Sequence, residues 1–186
     1  QKNVLKSLDL LPMTKKIAGE EVQSIYKSKI NEMFIDSNGE LTQTKSDKPI
    51  FIVYNEEKIK KYAIPIKAYG LWSWIYGYLA LDGDGETIVG FTVYSHAETP
   101  GLGAEVEKDW FQKQFVGKKI TDVNHKFESV TVVKGKLSDY NIPEESYANY
   151  VDGISGATIT GKGVEKYMKI DLEKYEMFSS KLRTGV

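Results

Sequence analysis

The chain has 186 residues, a net charge of −1 and no cysteine. These values exclude disulfides, thiolate zinc and cysteine-ligated iron–sulfur clusters, and they give no bulk attraction to nucleic acid. With 41% hydrophobic and 27% charged residues, the length suits one domain with a real core and an N-terminal helical extension.

Val4, Leu5, Leu8 and Leu11 recur at helical spacing, and Pro12 ends the pattern. A second helix is predicted from Gly19 to about Ile30, with Val22, Ile25, Tyr26 and Ile30 on one side and a solvated charged face opposite. Met33 to Ile35 begins a strand and Ser37-Asn38-Gly39 turns it. Residues 42–49 read as loop, Ile50 to Tyr54 as a short strand, and Glu56 to Lys61 as a surface turn. Pro65 keeps Ala63 to Ile66 extended, because a proline disfavours helix in the residue before it.

Leu71 to Leu81 and Thr87 to Ser95 are the strongest predicted strands. Asp82-Gly83-Asp84-Gly85 joins them as a hairpin turn. The alternating acids Asp82, Asp84 and Glu86 hint at a calcium loop, but Val93 stands where an EF-hand needs its bidentate Glu, so the turn reading is preferred. His96 and His125 are too few for a histidine-rich metal site and read as surface or hydrogen-bonded structural residues; His96 also lies near enough to the Glu98 loop to touch a ligand.

Pro100-Gly101 has the residues of a type II turn, and Gly103 marks a second point of close backbone approach. A helix is predicted from Ala104 to Gln114, with Trp110 and Phe111 as core candidates. Phe127 to Lys134 reads as a further strand, and Tyr147 to Asp152 leads into a Gly-rich stretch. Helices before and after antiparallel hairpins give an α+β class, mainly antiparallel sheet packed by helices.

That stretch, Asp152 to Gly163, opens a helix on which Val164, Tyr167, Met168, Leu172 and Tyr175 share a face, reaching about Ser180. A Gly-rich loop entering a helix gathers unpaired N–H groups at the positive end of the helix dipole, which suits a phosphate. Gly156, Gly161 and Lys162 have P-loop spacing, but Gly163 replaces the magnesium-binding Ser or Thr, which argues against an NTPase. A Gly-rich turn with a Ser or Thr N-cap is the structural alternative. Trp72 is open in the same way between a strand core residue and a ligand-facing one.

Three stretches resemble motifs of the FMN-binding domain family: Gly70-Leu71-Trp72-Ser73, Glu98-Thr99-Pro100-Gly101-Leu102-Gly103, and Ser155-Gly156-Ala157-Thr158 preceded by Asp152. The resemblance implies FMN joined through its phosphate to Thr158 by a separate flavin transferase. It implies that Ser155, Gly156, Ala157, Thr160 and Lys162 surround the phosphate, with Asp152 orienting the loop or assisting attachment. Leu71, Trp72, Ser73, Glu98, Thr99, Gly101, Leu102 and Gly103 would then line the flavin. Thr160 reads as a cap or first-turn residue, worth about 1 kcal/mol if it caps.

Taken in order, the motifs resemble those of the flavin subunit of Na+-translocating NADH:quinone reductases. The alternatives are the G subunit of an Rnf-type complex and a non-redox phosphate-binding module. The resemblance implies electron transfer within a membrane complex of several subunits, on the outer side of a bacterial cytoplasmic membrane. It also implies a single membrane helix before residue 1, so that residues 1–33 are a helical segment following the anchor and 34–186 the flavin domain. No apolar run in the chain itself is long enough to cross a bilayer.

Overall fold

Alternation of apolar and polar residues builds one six-stranded antiparallel sheet. Its strands are β1 (Asn31–Ile35), β2 (Leu41–Thr42), β3 (Pro49–Asn55), β4 (Lys58–Tyr69), β5 (Trp74–Asp82) and β6 (Ile88–Ser95), in the spatial order β2-β1-β3-β4-β5-β6. The computed structural model describes residues 1–12 and 17–185. Residues 13–16, within the expected 1–33 segment, and residue 186, at the end of the expected 34–186 segment, lie outside the described residues.

β4 is longer than its sequence suggests, because the expected surface turn at 56–61 shrinks to two residues and Lys58 onward joins the strand. Pro65 is tolerated inside it because pairing with β3 ends at Ala63, so Pro65 has a strand partner, Tyr78, on one side only.

Helices cover both faces of the sheet. On one, Ile52, Ile64, Ile66, Leu79 and Leu81 pack against Val164, Met168, Leu172, Tyr175 and Phe178 of the long C-terminal helix α4 (Thr158–Thr184). Each such fully buried side chain contributes about 1.5–3 kcal/mol. On the other, Val53, Ala63 and Ala80 pack against Val4, Leu5 and Leu8 around α1 (Lys2–Ser7), and against Val22 and Tyr26 of α2 (Gly19–Lys29).

Polar bonds fix α4 along its length. Asp171 accepts the Lys67 amide at 2.7 Å, Tyr175 donates its hydroxyl to the Pro49 carbonyl at 2.9 Å, and Tyr62 and Ser179 share a hydrogen bond of 2.7 Å. Near the helix end, Arg183 donates to the Gly85 carbonyl at 2.9 Å.

Two predicted elements break up. The helix expected over 104–114 is a 3-10 turn (Gly103–Glu107), one α turn, α3 (Asp109–Gln112), and a second 3-10 turn (Lys113–Phe115). Lys108 is extended between them, and the break lets Val106, Phe111 and Phe115 all reach the core. Trp110 is not a core residue; it is 46% exposed and donates its indole N–H to Glu105 at 2.9 Å. The strand expected over 127–134 is reduced to β7 (Thr131–Val132), paired in parallel with β8 (Tyr150–Val151), because Ser129 turns the chain with φ of 78°.

The acid row after β5 serves the turn. Asp84 accepts the amides of Glu86 and Thr87 at 2.9 and 2.8 Å. Glu86 is buried and bonded to Lys119, to the Thr121 hydroxyl at 2.9 Å and to Nδ1 of His125 at 2.7 Å, which ties the 119–125 segment to the hairpin. Burial opposes its ionisation, but the bonds from Lys119, His125 and Thr121 outweigh burial and hold its pKa at about 2.

A depressed carboxylate pKa adds stability that is present above the unfolded value and lost as pH falls through the folded one. The window here runs from roughly 4.3 down to about 2. Chemical denaturation between pH 7 and pH 3 should therefore show wild type losing more stability than Glu86→Gln, by up to about 2 kcal/mol.

Candidate functional site

At one end of the sheet, the 70–73 turn, the 98–103 loop and the first turn of α4 enclose a pocket of about 420 Å³, within the ~300–1,000 Å³ usual for cofactor sites. Leu71, Trp72 and Leu102 form apolar walls, and Gly156, Ala157, Thr158, Ile159 and Thr160 form the floor. Glu98, Thr99 and Gly103 complete the lining.

Glu98 organises these segments. One carboxylate oxygen, Oε1, accepts the amides of Trp72 at 2.9 Å and Ser73 at 3.0 Å; the other, Oε2, accepts the Leu71 amide at 3.1 Å and the Thr160 hydroxyl at 2.7 Å. The residue is 5% exposed. Burial pushes its pKa up, but the Thr160 hydroxyl and the three amides outweigh burial and hold it below the usual carboxylate range.

This arrangement corrects the start of β5. Leu71 to Ser73 is a turn, because three successive amides must converge on one carboxylate while a strand would alternate them. It also accounts for two glycines. A Cβ on Gly70 would come within 2.6 Å of Glu98 Oε1, and one on Gly103 within 2.5 Å of Glu98 Oε2 and 2.8 Å of the Thr160 hydroxyl.

The 98–103 loop is held from outside by His96, whose Nδ1 accepts the Glu98 amide at 3.2 Å while Nε2 faces Glu107 at 3.3 Å. His96 does not line the pocket. Pro100-Gly101 forms the expected turn, with Gly101 at φ 74° and the Leu102 amide bonded to the Thr99 carbonyl at 3.1 Å.

Trp72 is 65% exposed on the pocket wall, so it is not a core residue. Thr158 opens α4 with its side chain exposed, and first-turn amides have no intrahelical acceptor. Thr160 is buried two residues later, and its hydroxyl is committed to Glu98 rather than to capping; Ala157 holds the N-cap position without a side-chain bond.

Other expected residues lie beside the pocket. Ser73 hydrogen-bonds the Ala97 amide at 2.8 Å. Lys162 points elsewhere and pairs with Glu165 at 2.7 Å, so the floor meets an anion with backbone amides instead. Asp152, Ser155 and Gly101 face a second depression on the far side of the loop, shared with Glu105 and Trp110. Asp152 accepts the Leu137 amide at 2.6 Å, which orients the loop. Ser155 is exposed and makes no cap.

Sequence reasoning missed Ile159, which is 60% exposed at the pocket floor. Its signal was an apolar residue between two threonines and off the helix's buried stripe.

The model of the FMN-binding domain matches residues 70–173. The C subunit of the Na(+)-translocating NADH-quinone reductase of Vibrio campbellii is 47% identical over 116 residues, covering 62% of this chain and 42% of that protein. The corresponding protein of Pseudomonas aeruginosa is 38% identical over 139 residues, covering 73% and 51%. The chain thus spans about half the length of the curated relatives it matches. The crystal structure of the C subunit from Parabacteroides distasonis superposes with a TM-score of 0.80 at 31% identity, over 96% of this chain and 89% of that one. Shewanella oneidensis NqrC gives 0.80 at 27% identity, over 99% and 96%.

Replacing the Thr160 hydroxyl removes the nearest donor, at 2.7 Å, from a buried charge. Thr160→Val should cost about 1.5–3 kcal/mol in denaturant unfolding, and Thr160→Ser distinctly less.

Proposed function

The chain belongs to the FMN-binding domain family, and from that premise we propose that it carries FMN, esterified through its phosphate to Thr158, as the electron-transferring subunit of a Na+-translocating NADH:quinone reductase. The observation that carries the reading is the Thr158 side chain, exposed on the pocket floor at the N-terminus of α4. A phosphoester there keeps an anionic charge beside first-turn amides and the positive end of the helix dipole.

The pocket residues fit the rest of the cofactor. Trp72 and Leu102 offer apolar surface to an isoalloxazine ring, and Thr99 offers a hydrogen bond to its polar edge. The flavin, when bound, supplies the redox chemistry, and the chain supplies position, dielectric and charge. Ile159 would add apolar surface at the floor, and Glu98 holds the 70–73 wall in place.

A separate flavin transferase would make the ester from an activated flavin dinucleotide. The bond from the Thr158 oxygen to phosphorus forms as the pyrophosphate bond breaks, the nucleoside monophosphate leaves and the hydroxyl proton passes to a base of the transferase. Asp152 and Ser155, on the outer flank of the loop before Thr158, are where such an enzyme would grip it. The wider assembly follows the same reading: residues 34–186 are the flavin domain, and 1–33 connect it to a single membrane helix. The domain lies on the outer side of a bacterial cytoplasmic membrane, bound to other subunits of the complex. Among the described residues no helix is long and apolar enough to cross a membrane. No observation favours the Rnf-type subunit or the non-redox phosphate module; the Vibrio campbellii and Pseudomonas aeruginosa relatives are named as quinone reductase subunits.

Co-expression with a flavin transferase tests the attachment. Wild type should keep flavin fluorescence on a denaturing gel, Thr158→Ala should lose it while staying folded, and Thr158→Ser should retain part. Thr160→Ala should keep the flavin. Peptide mass mapping that found FMN on Thr160, or fluorescence surviving Thr158→Ala, would refute the assignment.

A further inference from the structure

Among the described residues, one charged side chain lines the pocket, that of Glu98. Glu98 lies between the two apolar walls, with its carboxylate against the backbone of both Gly70 and Gly103. Each of its four principal bonds is donated to it: two amides on Oε1, an amide and a hydroxyl on Oε2. Three of these partners are backbone amides, which can only donate, so the geometry favours the anion. The donors come from the 70–73 turn and from the first turn of α4, while Glu98 itself belongs to the loop that carries Leu102.

We infer that Glu98 is a positioning residue, which sets the spacing between the Trp72 wall, the Leu102 wall and the Thr158 floor and imposes a fixed negative charge on the group held between them. The charge effect rests on the reading that this group is FMN. The spacing effect does not, because the bonds exist within the polypeptide alone.

The physical consequences differ for the two roles. Removing the carboxylate releases three neighbouring amides at once, so the 70–73 turn should loosen even without a cofactor. A fixed anion beside a redox group disfavours the arrival of electrons, since like charges interact more strongly where water is excluded. Neutralising Glu98 should therefore make the bound flavin easier to reduce. Among the described residues no Lys, Arg or His lines the pocket to cancel this charge.

Three variants separate spacing from charge. Glu98→Gln keeps the shape but replaces one accepting oxygen by an NH2 group. Placed at Oε2, that group faces the Leu71 amide donor to donor. Glu98→Asp keeps the charge on an arm one carbon shorter. Gly103→Ala keeps the full glutamate and displaces its carboxylate, because the added Cβ would lie 2.5 Å from Oε2.

The first measurement is amide hydrogen exchange on flavin-free protein. In Glu98→Asp and Gly103→Ala the amides of Leu71, Trp72 and Ser73 should lose protection by roughly tenfold, and in Glu98→Gln the loss should be largest at Leu71. Unchanged protection in both Glu98→Gln and Gly103→Ala would overturn the positioning role. The second is an equilibrium redox titration of protein loaded with FMN by a flavin transferase. The midpoint potential of Glu98→Gln should shift positive of wild type, and those of Glu98→Asp and Gly103→Ala should shift less. Equal potentials in wild type and Glu98→Gln would overturn the charge role, as would the same shift in Gly103→Ala as in Glu98→Gln. Should Glu98→Gln fail to fold, exchange in Gly103→Ala and Glu98→Asp still decides the positioning role, and Glu98→Met, which also lacks the charge, takes its place in the redox titration. A wild-type protein that takes up no FMN would refute the proposed function and the charge effect with it, while the exchange result would still decide the positioning role.

Discussion

A buried carboxylate holds the pocket end of this molecule together. Removing a carboxylate from water costs several kcal/mol unless its oxygens find donors. Glu98 finds them in Leu71, Trp72, Ser73 and Thr160. None of these is close in sequence; the nearest amide is 25 residues away and the hydroxyl 62. The anion therefore joins two surface segments, the 70–73 turn and the 98–103 loop, to the first turn of α4. The glycines at 70 and 103 follow from it, because any side chain there would occupy the space of the carboxylate.

The pocket floor is rigid for a different reason. Thr158, Ile159 and Thr160 are the first residues of a 27-residue helix. Beyond them, Val164, Met168, Leu172, Tyr175 and Phe178 are buried against the sheet, and bonds from Asp171, Tyr175, Ser179 and Arg183 tie the helix to strands and turns. Shifting the floor relative to the walls would mean sliding α4 across the core. Sites built on such an element hold their geometry better than sites on loops alone. The bond from Thr160 to Glu98 joins this rigid floor to the walls.

The two buried glutamates use similar physics to different ends. Glu86 has a lysine and a histidine beside it, so its charge is neutralised locally and the cluster acts as a fastener for the 119–125 segment. Glu98 is held by neutral donors only, and its charge persists in the pocket. An uncompensated charge in a cleft with apolar walls influences a bound group, whereas a compensated one mainly contributes stability.

Local patterns were enough to read much of this protein. Helical periodicity marked α2 and the buried face of α4, and alternation of β-branched and aromatic residues marked β5, β6 and the hairpin between them. Short motifs identified the segments that meet at the pocket, since turn glycines, Pro100-Gly101 and the threonine pair carry their chemistry locally. Tertiary structure decided what those motifs do to one another. Leu71 to Ser73 looks like strand, yet a carboxylate 25 to 27 residues away bends it into a turn. Trp110 looks like core, yet the break at Lys108 turns it outward while Phe111 goes in. Lys162 looks like a phosphate ligand, yet the helix face it occupies directs it to Glu165. Periodicity and turn chemistry depend on neighbours in sequence. The direction of a side chain, and the partner that meets a buried charge, depend on distant segments that only the folded chain brings together.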